Sequence, residues 1–334
     1  TPAVFLRSGH ARCSGPLLAS RFAWLFRPPA MCLGDRFPPP CSRPPQFSVS
    51  GFPQGPQLRI KLALDPQVSS PDDVDSTLGS SERQTPAVMR IGILGDIHAN
   101  TEALTAVVKS MREDGVDVFV QVGDIVGYGP EPSECIDIVR ELGCVTCLGN
   151  HDAAVLDLLD TSYFNNFARA AIHWTKPRLR PEDLKFLRGL QLVERRPPFT
   201  VVHGSLHMPD QFGYVISPVE AIDSLDQQDT QLCFVGHSHV PAIYLRRDDS
   251  PQDIHVVPHS EAEISYKGFD RILMNVGSVG QPRDEDPRAA YGLVDTDLGI
   301  ANIKRVVYDI PGVQRKIRDA GLPDVLANRL ALGV

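Results

Sequence analysis

The sequence from residue 90 onward predicts an α/β layered fold. Short apolar runs alternate there with longer segments of helical period, which is the pattern of βαβ units. Several of those apolar runs end in Asp, Asn or His, as expected where strands deliver side chains to a site at one edge of a sheet. The chain has 334 residues, of which 42% are hydrophobic and 22% charged, so it can bury a sizeable core.

The predicted elements begin with the strand RIGIL at residues 90–94. The segment TEALTAVVKSMRED follows it, and the apolar side chains of Leu104, Val107, Val108 and Met111 share one face of a helix there. The later elements alternate in the same way, and in order they are the strand VDVFVQV, the helix EPSECIDIVREL, the strand CVTCL, a helical region over 152–188, the strands FTVV, LCFV and ILMNV, two antiparallel strands in YGLVDTD and ANIKRVVYD, and a helix over 313–320.

Residues 1–88 differ from the rest of the chain. They hold 14 of the 29 prolines and show no sustained helical or strand period, so we expect a disordered extension without a packed core. Seven arginines and the single acid Asp35 within residues 1–60 resemble a transit segment, but the proline density opposes the amphipathic helix that such segments form. Because a strand begins directly after Met89, we predict a catalytic domain over 89–334. The extension has an alternative interpretation as translated sequence upstream of the true start.

Charge and cysteine content exclude several classes of function. The formal net charge of −8 leaves no broad basic surface for nucleic acid, so an anionic substrate must be held locally. Seven cysteines, without the spacing of a disulfide framework, favour a reducing compartment, and we predict a cytoplasmic protein. Cys144 and Cys147 form a CxxC, which we interpret as core filling within a strand. No apolar stretch reaches about 18 residues, so no membrane span is predicted.

Five of the predicted strands end in a polar motif. RIGIL runs into GDIH, VFVQV into GDIV, CVTCL into GNHD, FTVV into HGS and LCFV into GHSH. Because ligands of open α/β sheets gather at the carboxyl ends of the strands, the motifs predict one common site. Taken singly, such an Asp is more often a turn former or helix cap and such a His a core residue, but five motifs together favour a site. The candidates are Asp96, His98, Asp124, Asn150, His151, His203, His237 and His239.

Carboxylates, imidazoles and an amide oxygen, without a thiolate, make up this candidate set. Such ligands suit Mn²⁺, Fe, Zn²⁺, Co²⁺ or Ni²⁺ better than a soft metal or Ca²⁺, and we predict Mn²⁺ foremost. The set is too large for one ion, whereas two divalent ions about 3.5–4 Å apart would share a bridging carboxylate and a bridging water. A bridging hydroxide would attack phosphorus in line while both cations neutralise charge on the non-bridging oxygens. The predicted function is therefore metal-dependent phosphoester hydrolysis.

A leaving alkoxide also needs a proton. We assign His151 as the general acid, a role typically worth about 10²–10⁴-fold in rate. Asp152 follows it directly, and its negative charge is expected to stabilise the imidazolium form and raise the pKa of His151. The two residues are therefore the predicted catalytic pair.

The order of the motifs DxH, GD, GNHD, H and GHSH resembles the calcineurin-like metallophosphoesterase superfamily over roughly residues 89–310. The resemblance implies a two-sheet β-sandwich flanked by α-helices in four layers, with a two-metal site at the strand ends. It also implies roles for single residues: Asp96, His98 and His239 bind the first ion, Asp124 bridges to the second, Asn150, His203 and His237 complete the second site, and His151 protonates the leaving group. Because no expected ligand is missing, the resemblance favours an enzyme over a non-catalytic scaffold.

Departures from the family pattern narrow the range of expected substrates. Ser/Thr protein phosphatases of this superfamily usually read GDxVDRG and GNHE, with the arginine gripping phosphate. This chain reads GDIVGYG, with Gly127 and Tyr128 at those positions, and GNHD. It is more similar to small bacterial and archaeal phosphodiesterase-type members, in which NPGS is followed by an arginine, as NVGS is followed here by Arg283. Gly277 and Gly280 would offer backbone N–H groups to a phosphate, although an ordinary turn fits the same sequence.

We therefore predict hydrolysis of a small or nucleotide-like phosphodiester. The alternatives are a phosphomonoesterase, including a protein phosphatase, and a non-catalytic binding scaffold. Tyr128 and Tyr214 would either stack on a nucleotide base or pack internally. Four further histidines are interpreted as packed or solvated side chains rather than as ligands, namely His173, His207, His255 and His259.

Overall fold

The described part of the chain is built around two six-stranded β-sheets. The computed structural model describes residues 89–258 and 261–334, so the expectations for residues 1–88 and for His259 lie outside the described part. In chain order the strands are β1 (Arg90–Leu94), β2 (Val118–Gln121), β3 (Val145–Thr146), β4 (Val193–Arg196), β5 (Phe199–Val202), β6 (Leu232–Val235), β7 (Ala242–Arg246), β8 (His255–Pro258), β9 (Ile264–Ser265), β10 (Arg271–Asn275), β11 (Ala289–Asp295) and β12 (Ile300–Val306).

Each sheet contains three adjacent parallel strands. The first sheet has the order β3-β2-β1-β11-β12-β9, in which β3, β2 and β1 are parallel. The second has the order β4-β5-β6-β10-β7-β8, in which β5, β6 and β10 are parallel. The remaining pairs are antiparallel. Because parallel strands point the same way, each triplet brings three carboxyl ends to one edge of its sheet.

Helices cover the outer faces of both sheets. They are α1 (Thr101–Glu113), α2 (Pro132–Glu141), α3 (Asn150–Val155), α4 (Asn166–Thr175), α5 (Pro181–Arg188), α6 (Pro218–Gln227), α7 (Ile310–Asp319) and α8 (Asp324–Asn328). Helix α1 begins where the Asn100 side chain accepts the Ala103 N–H, and it buries Leu104 and Met111. Among the described residues, none of the helices combines the length and apolar character needed to cross a bilayer.

Three apolar cores hold these layers together. Ile91 and Ile93 alternate along β1 and belong to the core between the sheets, with Phe234 of β6. The outer face of the first sheet shares a core with α1 to α5, α7 and α8, and the second sheet shares another with α6, where Leu225 packs with Tyr244. The prediction of a two-sheet sandwich flanked by helices is therefore confirmed.

The structure differs from the predicted elements in a few places. The strand predicted in CVTCL is reduced to β3, and GNHD starts α3, because Gly149 is extended and the Asp152 carboxylate accepts its N–H. Helix α7 begins at Ile310, earlier than predicted, because the Asp309 carboxylate accepts the Gly312 N–H and caps it. The short strands β4, β7, β8 and β9 were not predicted as strands, although β7 and β8 form a hairpin whose second strand is largely exposed.

Candidate metal centre

The motifs that follow β1, β2 and β3 of one sheet, and β5 and β6 of the other, lie next to one another. Both parallel triplets present their carboxyl ends at this edge of the sandwich. The structure brings the seven predicted ligands together there, and all are buried: Asp96, His98, Asp124, Asn150, His203, His237 and His239. We refer to these seven side chains as the cluster.

Asp96, His98 and His239 form one half of the cluster. His239 Nε2 lies 3.1 Å from Asp96 Oδ2 and 3.1 Å from His98 Nε2. The Asp96 carboxylate also accepts the His237 N–H at 3.1 Å, which fixes the backbone of GHSH against the end of β1. The three side chains offer ligand atoms that all lie within 4.8 Å of one another, close enough to hold one ion.

Asp124 faces both this half and a second one. Its Oδ2 lies 3.7 Å from His98 Nε2 and 3.3 Å from His203 Nε2. His203 Nε2 in turn lies 3.1 Å from His237 Nδ1 and 2.9 Å from Asn150 Oδ1. One carboxylate thus stands between two sets of ligand atoms, which is the position that a bridging ligand occupies.

Backbone carbonyl groups determine which ring nitrogen carries the proton in three of the histidines. Nδ1 lies 3.0 Å from a carbonyl oxygen in His98, 2.8 Å in His203 and 2.6 Å in His239. A carbonyl oxygen only accepts, so each Nδ1 carries a proton and, in the neutral ring, Nε2 presents a lone pair to the cluster. The Nε2 atoms of His98 and His239 therefore face each other as two acceptors, an arrangement that a cation between them would satisfy.

The donor set fits divalent transition-metal ions. Carboxylate, imidazole and amide groups converge without a thiolate, as such ions prefer. Burial alone would raise the pKa of Asp124, but the His203 and His151 imidazoles hold it well below its usual range. Burial would likewise lower the pKa of His203, but Asp124 raises it to about 9. Because ligands must be deprotonated, a proton and a metal ion compete for His203 Nε2.

Four of the predicted ligands adopt left-handed backbone conformations. The angle φ is 49° at His98, 57° at Asp124, 65° at His237 and 61° at His239. Such a conformation costs a non-glycine residue on the order of 1 kcal/mol, and it persists only where surrounding contacts impose it. Residues of this kind concentrate at functional sites, which supports the interpretation of the cluster as a binding centre.

Two motif glycines allow the strand ends to approach one another. A Cβ atom on Gly149 would lie 2.2 Å from Asp124 Oδ1, and one on Gly236 would lie 2.4 Å from Asp96 Oδ1. No side chain fits at either position without displacing a carboxylate of the cluster. The glycines of GNHD and GHSH are therefore required by contacts with another strand end.

Comparison with known proteins agrees with this geometry. The model of the calcineurin-like phosphoesterase family matches residues 89–241. An uncharacterised protein of Methanocaldococcus jannaschii is 37% identical over 247 residues, which is 73% of this chain and 98% of that protein. The chain belongs to the calcineurin-like phosphoesterase family. It is accordingly a metal-dependent phosphoester hydrolase.

Solved structures show the same fold as this phosphoesterase. A metallophosphoesterase from Sphaerobacter thermophilus is 39% identical, with a TM-score of 0.66, and the match covers 74% of this chain and 100% of that one. A hypothetical protein from Pyrococcus horikoshii, 20% identical, matches with a TM-score of 0.59 over 73% of this chain and 98% of that one. At 20% identity, the second match supports the fold alone.

The predicted pairing of Asp152 with His151 in this phosphoesterase is wrong. The Asp152 carboxylate accepts backbone N–H groups instead, at 2.8 Å from Asp124, 3.1 Å from Ile125, 3.2 Å from Val126 and 3.2 Å from Gly149. Residues i and i+1 of a helix do not face each other, so sequence neighbours in the first turn of α3 are directed differently. Asp152 positions the loop after β2 rather than the imidazole.

His151 lies beside the cluster in an aromatic environment. Its Nδ1 is buried and has no hydrogen-bond partner among the described residues. The rings of Tyr128 and Phe164 pack against it, with centroids 4.5 Å and 5.2 Å away. Burial lowers the pKa of His151 to about 4, although Asp124 opposes the shift. Burial therefore disfavours the imidazolium form on which the predicted general-acid role depends.

The predicted phosphate-binding N–H groups of Gly277 and Gly280 are already used within the protein. Gly277 N donates to Asn275 Oδ1 at 3.0 Å, and Gly280 N donates to Asp96 O at 2.9 Å. Each peptide group has one N–H to donate. The prediction that these groups face a phosphate is therefore wrong, and the NVGS segment is a turn that closes on the end of β1.

Arg283, the other predicted phosphate-binding residue, lies beside the cluster. Its Cζ is 5.7 Å from the centre of the Tyr128 ring, and its Nη2 donates to Gln281 Oε1 at 2.9 Å. The buried Nε of Arg283 has no hydrogen-bond partner within the described part of the chain. The guanidinium therefore retains an unused donor next to His151 and the cluster.

Several residues that shape the cluster carry little or no sequence signal. The carbonyl groups that accept from the three imidazoles belong to Val122, Val126 and Gln281. Every residue has a carbonyl group, so the sequence does not mark these three. Asn275 donates from Nδ2 to Gly236 O at 2.9 Å and holds GHSH in place. Its position at the end of β10, the third strand of a parallel triplet, is the signal that could have found it.

The lesser candidates separate into surface and buried residues. His173, His207 and His255 are exposed, as interpreted from the sequence. Tyr128 is buried, whereas Tyr214 is partly exposed. Of the two tyrosines, only Tyr214 therefore keeps an open ring surface.

Proposed function

We propose that this phosphoesterase hydrolyses phosphodiesters, of a small or nucleotide-like kind, with two divalent metal ions. The observation that carries the proposal is the position of Asp124, whose Oδ2 faces His98 Nε2 at 3.7 Å and His203 Nε2 at 3.3 Å. When bound, two such ions lower the pKa of a water nucleophile and neutralise charge on the phosphoryl oxygens. Mn²⁺ is the proposed ion, with Fe, Co²⁺, Ni²⁺ and Zn²⁺ as alternatives.

Each half of the cluster would hold one of the two proposed ions. The proposed ligands are Asp96, His98 and His239 for the first ion, Asn150, His203 and His237 for the second, and Asp124 for both. The backbone carbonyls that accept from three Nδ1 atoms support these roles, because they direct the Nε2 lone pairs inward.

The charge beside the cluster favours a phosphodiester over a phosphomonoester. Tyr128 occupies the position at which protein phosphatases carry an arginine, and its ring is buried against His98 and His151, 4.5 Å from each. Residue 128 itself therefore supplies no guanidinium, and the guanidinium next to its ring is that of Arg283, with Cζ 5.7 Å from the ring centre. A phosphodiester carries one negative charge and a phosphomonoester up to two, so a site without an arginine at residue 128 would suit the diester better.

Arg283 and His151 complete the proposed active site. The guanidinium of Arg283 would donate to the non-bridging oxygens of the phosphate, because its Nε is free and lies beside the cluster. As the general acid, His151 would donate from its ring to the leaving oxygen as negative charge develops there. Asp152 would act only through the backbone of the loop that carries Asp124.

A cytoplasmic location is also part of the proposal. Cys135, Cys144, Cys147 and Cys233 are free thiols in the described part of the chain. Burial raises the pKa of the Cys144 and Cys233 thiols to about 12, so these side chains are unreactive core residues. Free thiols in this number are typical of a reducing compartment.

The decisive experiment compares substrates on the full chain. The protein is stripped with a chelator, reloaded separately with Mn²⁺, Fe²⁺, Co²⁺, Ni²⁺ or Zn²⁺, and assayed with bis(p-nitrophenyl) phosphate, p-nitrophenyl phosphate and a phosphoserine peptide. We expect kcat/KM for the diester to exceed that for either monoester by at least about tenfold. A preference for the monoesters would instead support a phosphomonoesterase. Absence of turnover with every ion would contradict catalysis on these esters.

A further inference from the structure

The loop that joins β5 to α6, residues 203–217 and here named the rim loop, places an exposed aromatic ring against the cluster. The Tyr214 ring lies flat on the His237 imidazole, with centroids 4.0 Å apart and an angle of 17° between the planes. Tyr214 is nevertheless 51% exposed. One face of the ring thus covers a proposed metal ligand, and the opposite face is open beside the proposed active site.

Internal hydrogen bonds hold the rim loop in this conformation. Ser205 N donates to Gly213 O at 2.7 Å, which closes the loop just before Tyr214. The Ser205 and Ser224 hydroxyls lie 2.9 Å apart and join the loop to α6. The Glu220 carboxylate accepts the Ser217 N–H at 3.0 Å at the start of that helix. The exposure of Tyr214 is therefore a feature of a braced loop.

The same segment exposes further apolar side chains. Met208 and Ile216 of the rim loop and Val219 of α6 are all exposed, while Val215, next to Tyr214, is buried. If Tyr214 only supported His237, a single covered face would be enough, and an open apolar face would give no benefit. An open aromatic face, in a segment that exposes other apolar side chains, is the kind of surface on which a flat ring stacks.

We propose that the open face of Tyr214 stacks on an aromatic ring in one arm of the phosphodiester, a nucleobase above all. The inference rests on the proposed function, because it places this arm next to the phosphate held at the cluster. A nucleobase presents a π-face whatever its sequence identity, whereas an alkyl arm has none. Tyr214 is thus a positioning residue that selects nucleoside esters over alkyl esters.

The test uses two diesters with the same leaving group. Thymidine 5′-(p-nitrophenyl phosphate) and ethyl p-nitrophenyl phosphate both release p-nitrophenolate and differ only in the retained arm. We expect the Mn²⁺-loaded wild type to prefer the nucleoside ester in kcat/KM by about tenfold, mostly through KM. Tyr214→Phe keeps the ring face and should keep this preference. Tyr214→Leu keeps apolar bulk over His237 and should lose it.

Activity on the ethyl ester and the Mn²⁺ content of each variant report damage to the cluster. Tyr163→Ala is the matched control, since Tyr163 is another exposed tyrosine, and it should leave the preference unchanged. If Tyr214→Leu slows both esters by the same factor, Tyr214 only supports His237 and the inference is overturned. An equal loss of preference in Tyr163→Ala would overturn it as well.

A binding measurement separates failure of this inference from failure of the proposed function. If the wild type cleaves neither diester, the phosphodiesterase proposal fails, and calorimetry with thymidine 5′-monophosphate and ethyl phosphate still tests Tyr214. Tighter binding of the nucleotide by wild type and Tyr214→Phe, but not by Tyr214→Leu, would support the stacking role. Equal affinities for the two phosphates in all three proteins would contradict it.

Discussion

Helices α3 and α5 begin with the same capping hydrogen bond, but the capping residue has a different role in each helix. Each has an aspartate at its third residue, and that carboxylate accepts the backbone N–H of the residue before the helix. Asp152 accepts from Gly149 at 3.2 Å, and Asp183 accepts from Arg180 at 2.9 Å. Both aspartates are fully buried. The two helix starts therefore share one local solution to unpaired N–H groups.

The remaining partners of the two carboxylates differ. Asp183 also accepts from the Arg180 guanidinium at 2.7 Å and from the Ser133 hydroxyl at 2.6 Å, which joins α5 to α2. Asp152 accepts only backbone N–H groups in the hydrogen bonds described, and three of them belong to the loop after β2 that carries Asp124. The Asp183 cap stabilises the packing of α5 against α2. The Asp152 cap instead holds the segments after β2 and β3 together beside the cluster.

The pKa values of the two carboxylates are shifted in opposite directions. Burial would raise the pKa of Asp183, but its hydrogen bonds with Arg180 and Ser133 lower it. Burial, with the nearby charge of Asp124, raises the pKa of Asp152 to about 7. The difference shows that an identical local motif does not determine whether a buried carboxylate stabilises the fold or organises a site.

The largest expected effect is on turnover, and it concerns Asp124 on the loop that Asp152 holds. Asp124→Asn removes the negative charge that lies between the two halves of the cluster. The backbone of Asp124 is the one that Asp152 of α3 holds in place. Loss of one neutral donor to a transition state typically costs about 10²–10³-fold, so loss of this shared charge should lower kcat/KM by at least about 10³-fold. The measurement is turnover of bis(p-nitrophenyl) phosphate with Mn²⁺, together with metal content per chain. A rate near that of wild type would remove Asp124 from the bridging role.

A smaller effect, on stability and Mn²⁺ affinity, should distinguish the Asp152 cap from the Asp183 cap. In Asp152→Asn the amide has one oxygen where the carboxylate has two, so at least one buried N–H group loses its acceptor. We expect a loss of about 1–3 kcal/mol in the free energy of unfolding and about 10–100-fold weaker Mn²⁺ binding. Urea denaturation and calorimetric titration with Mn²⁺ measure the two quantities.

Asp183→Asn is the matched control for this experiment. It makes the same carboxylate-to-amide change at the same position of a helix, away from the cluster. We expect a comparable loss in the free energy of unfolding, because a buried cap is broken there too, with an unchanged affinity for Mn²⁺. Equal weakening of Mn²⁺ binding in both variants would break the comparison between the helices.

The smallest expected effect concerns pH and uses chelated protein. The folded pKa of Asp183 lies below its unfolded value of 3.8, so its contribution is present above pH 3.8 and is lost as the pH falls through the folded pKa. The folded pKa of Asp152, about 7, lies above 3.8, so its contribution is present below pH 3.8 and is lost as the pH rises towards 7.

Urea denaturation from pH 3 to pH 8 checks both signs. The difference in unfolding free energy between wild type and Asp152→Asn should shrink by at least about 1 kcal/mol from pH 4 to pH 7. The difference between wild type and Asp183→Asn should instead shrink below pH 4. Histidines outside the two caps titrate in wild type and variant alike, so most of their contribution cancels. The same sign for both aspartates would contradict the assignment.

The sequence by itself determined the strands and the residue types at their ends. FTVV and LCFV coincide with β5 and β6, and RIGIL with β1, because an apolar run and the turn that follows it are encoded in neighbouring residues. The order of the motifs also specified the family. Since parallel strands end at one edge of a sheet, the eight candidates could be assigned to one place without coordinates.

Only the tertiary structure decided the partners of those residues. Asp152 is next to His151 in the chain, yet it contacts the loop after β2, and the Gly277 N–H that would suit a phosphate is taken by Asn275. The stacking of Tyr214 on His237 likewise could not be predicted from the sequence. Backbone N–H and C=O groups are the same at every residue, and long-range packing depends on the whole fold. The local sequence therefore carries no record of which distant group each residue meets.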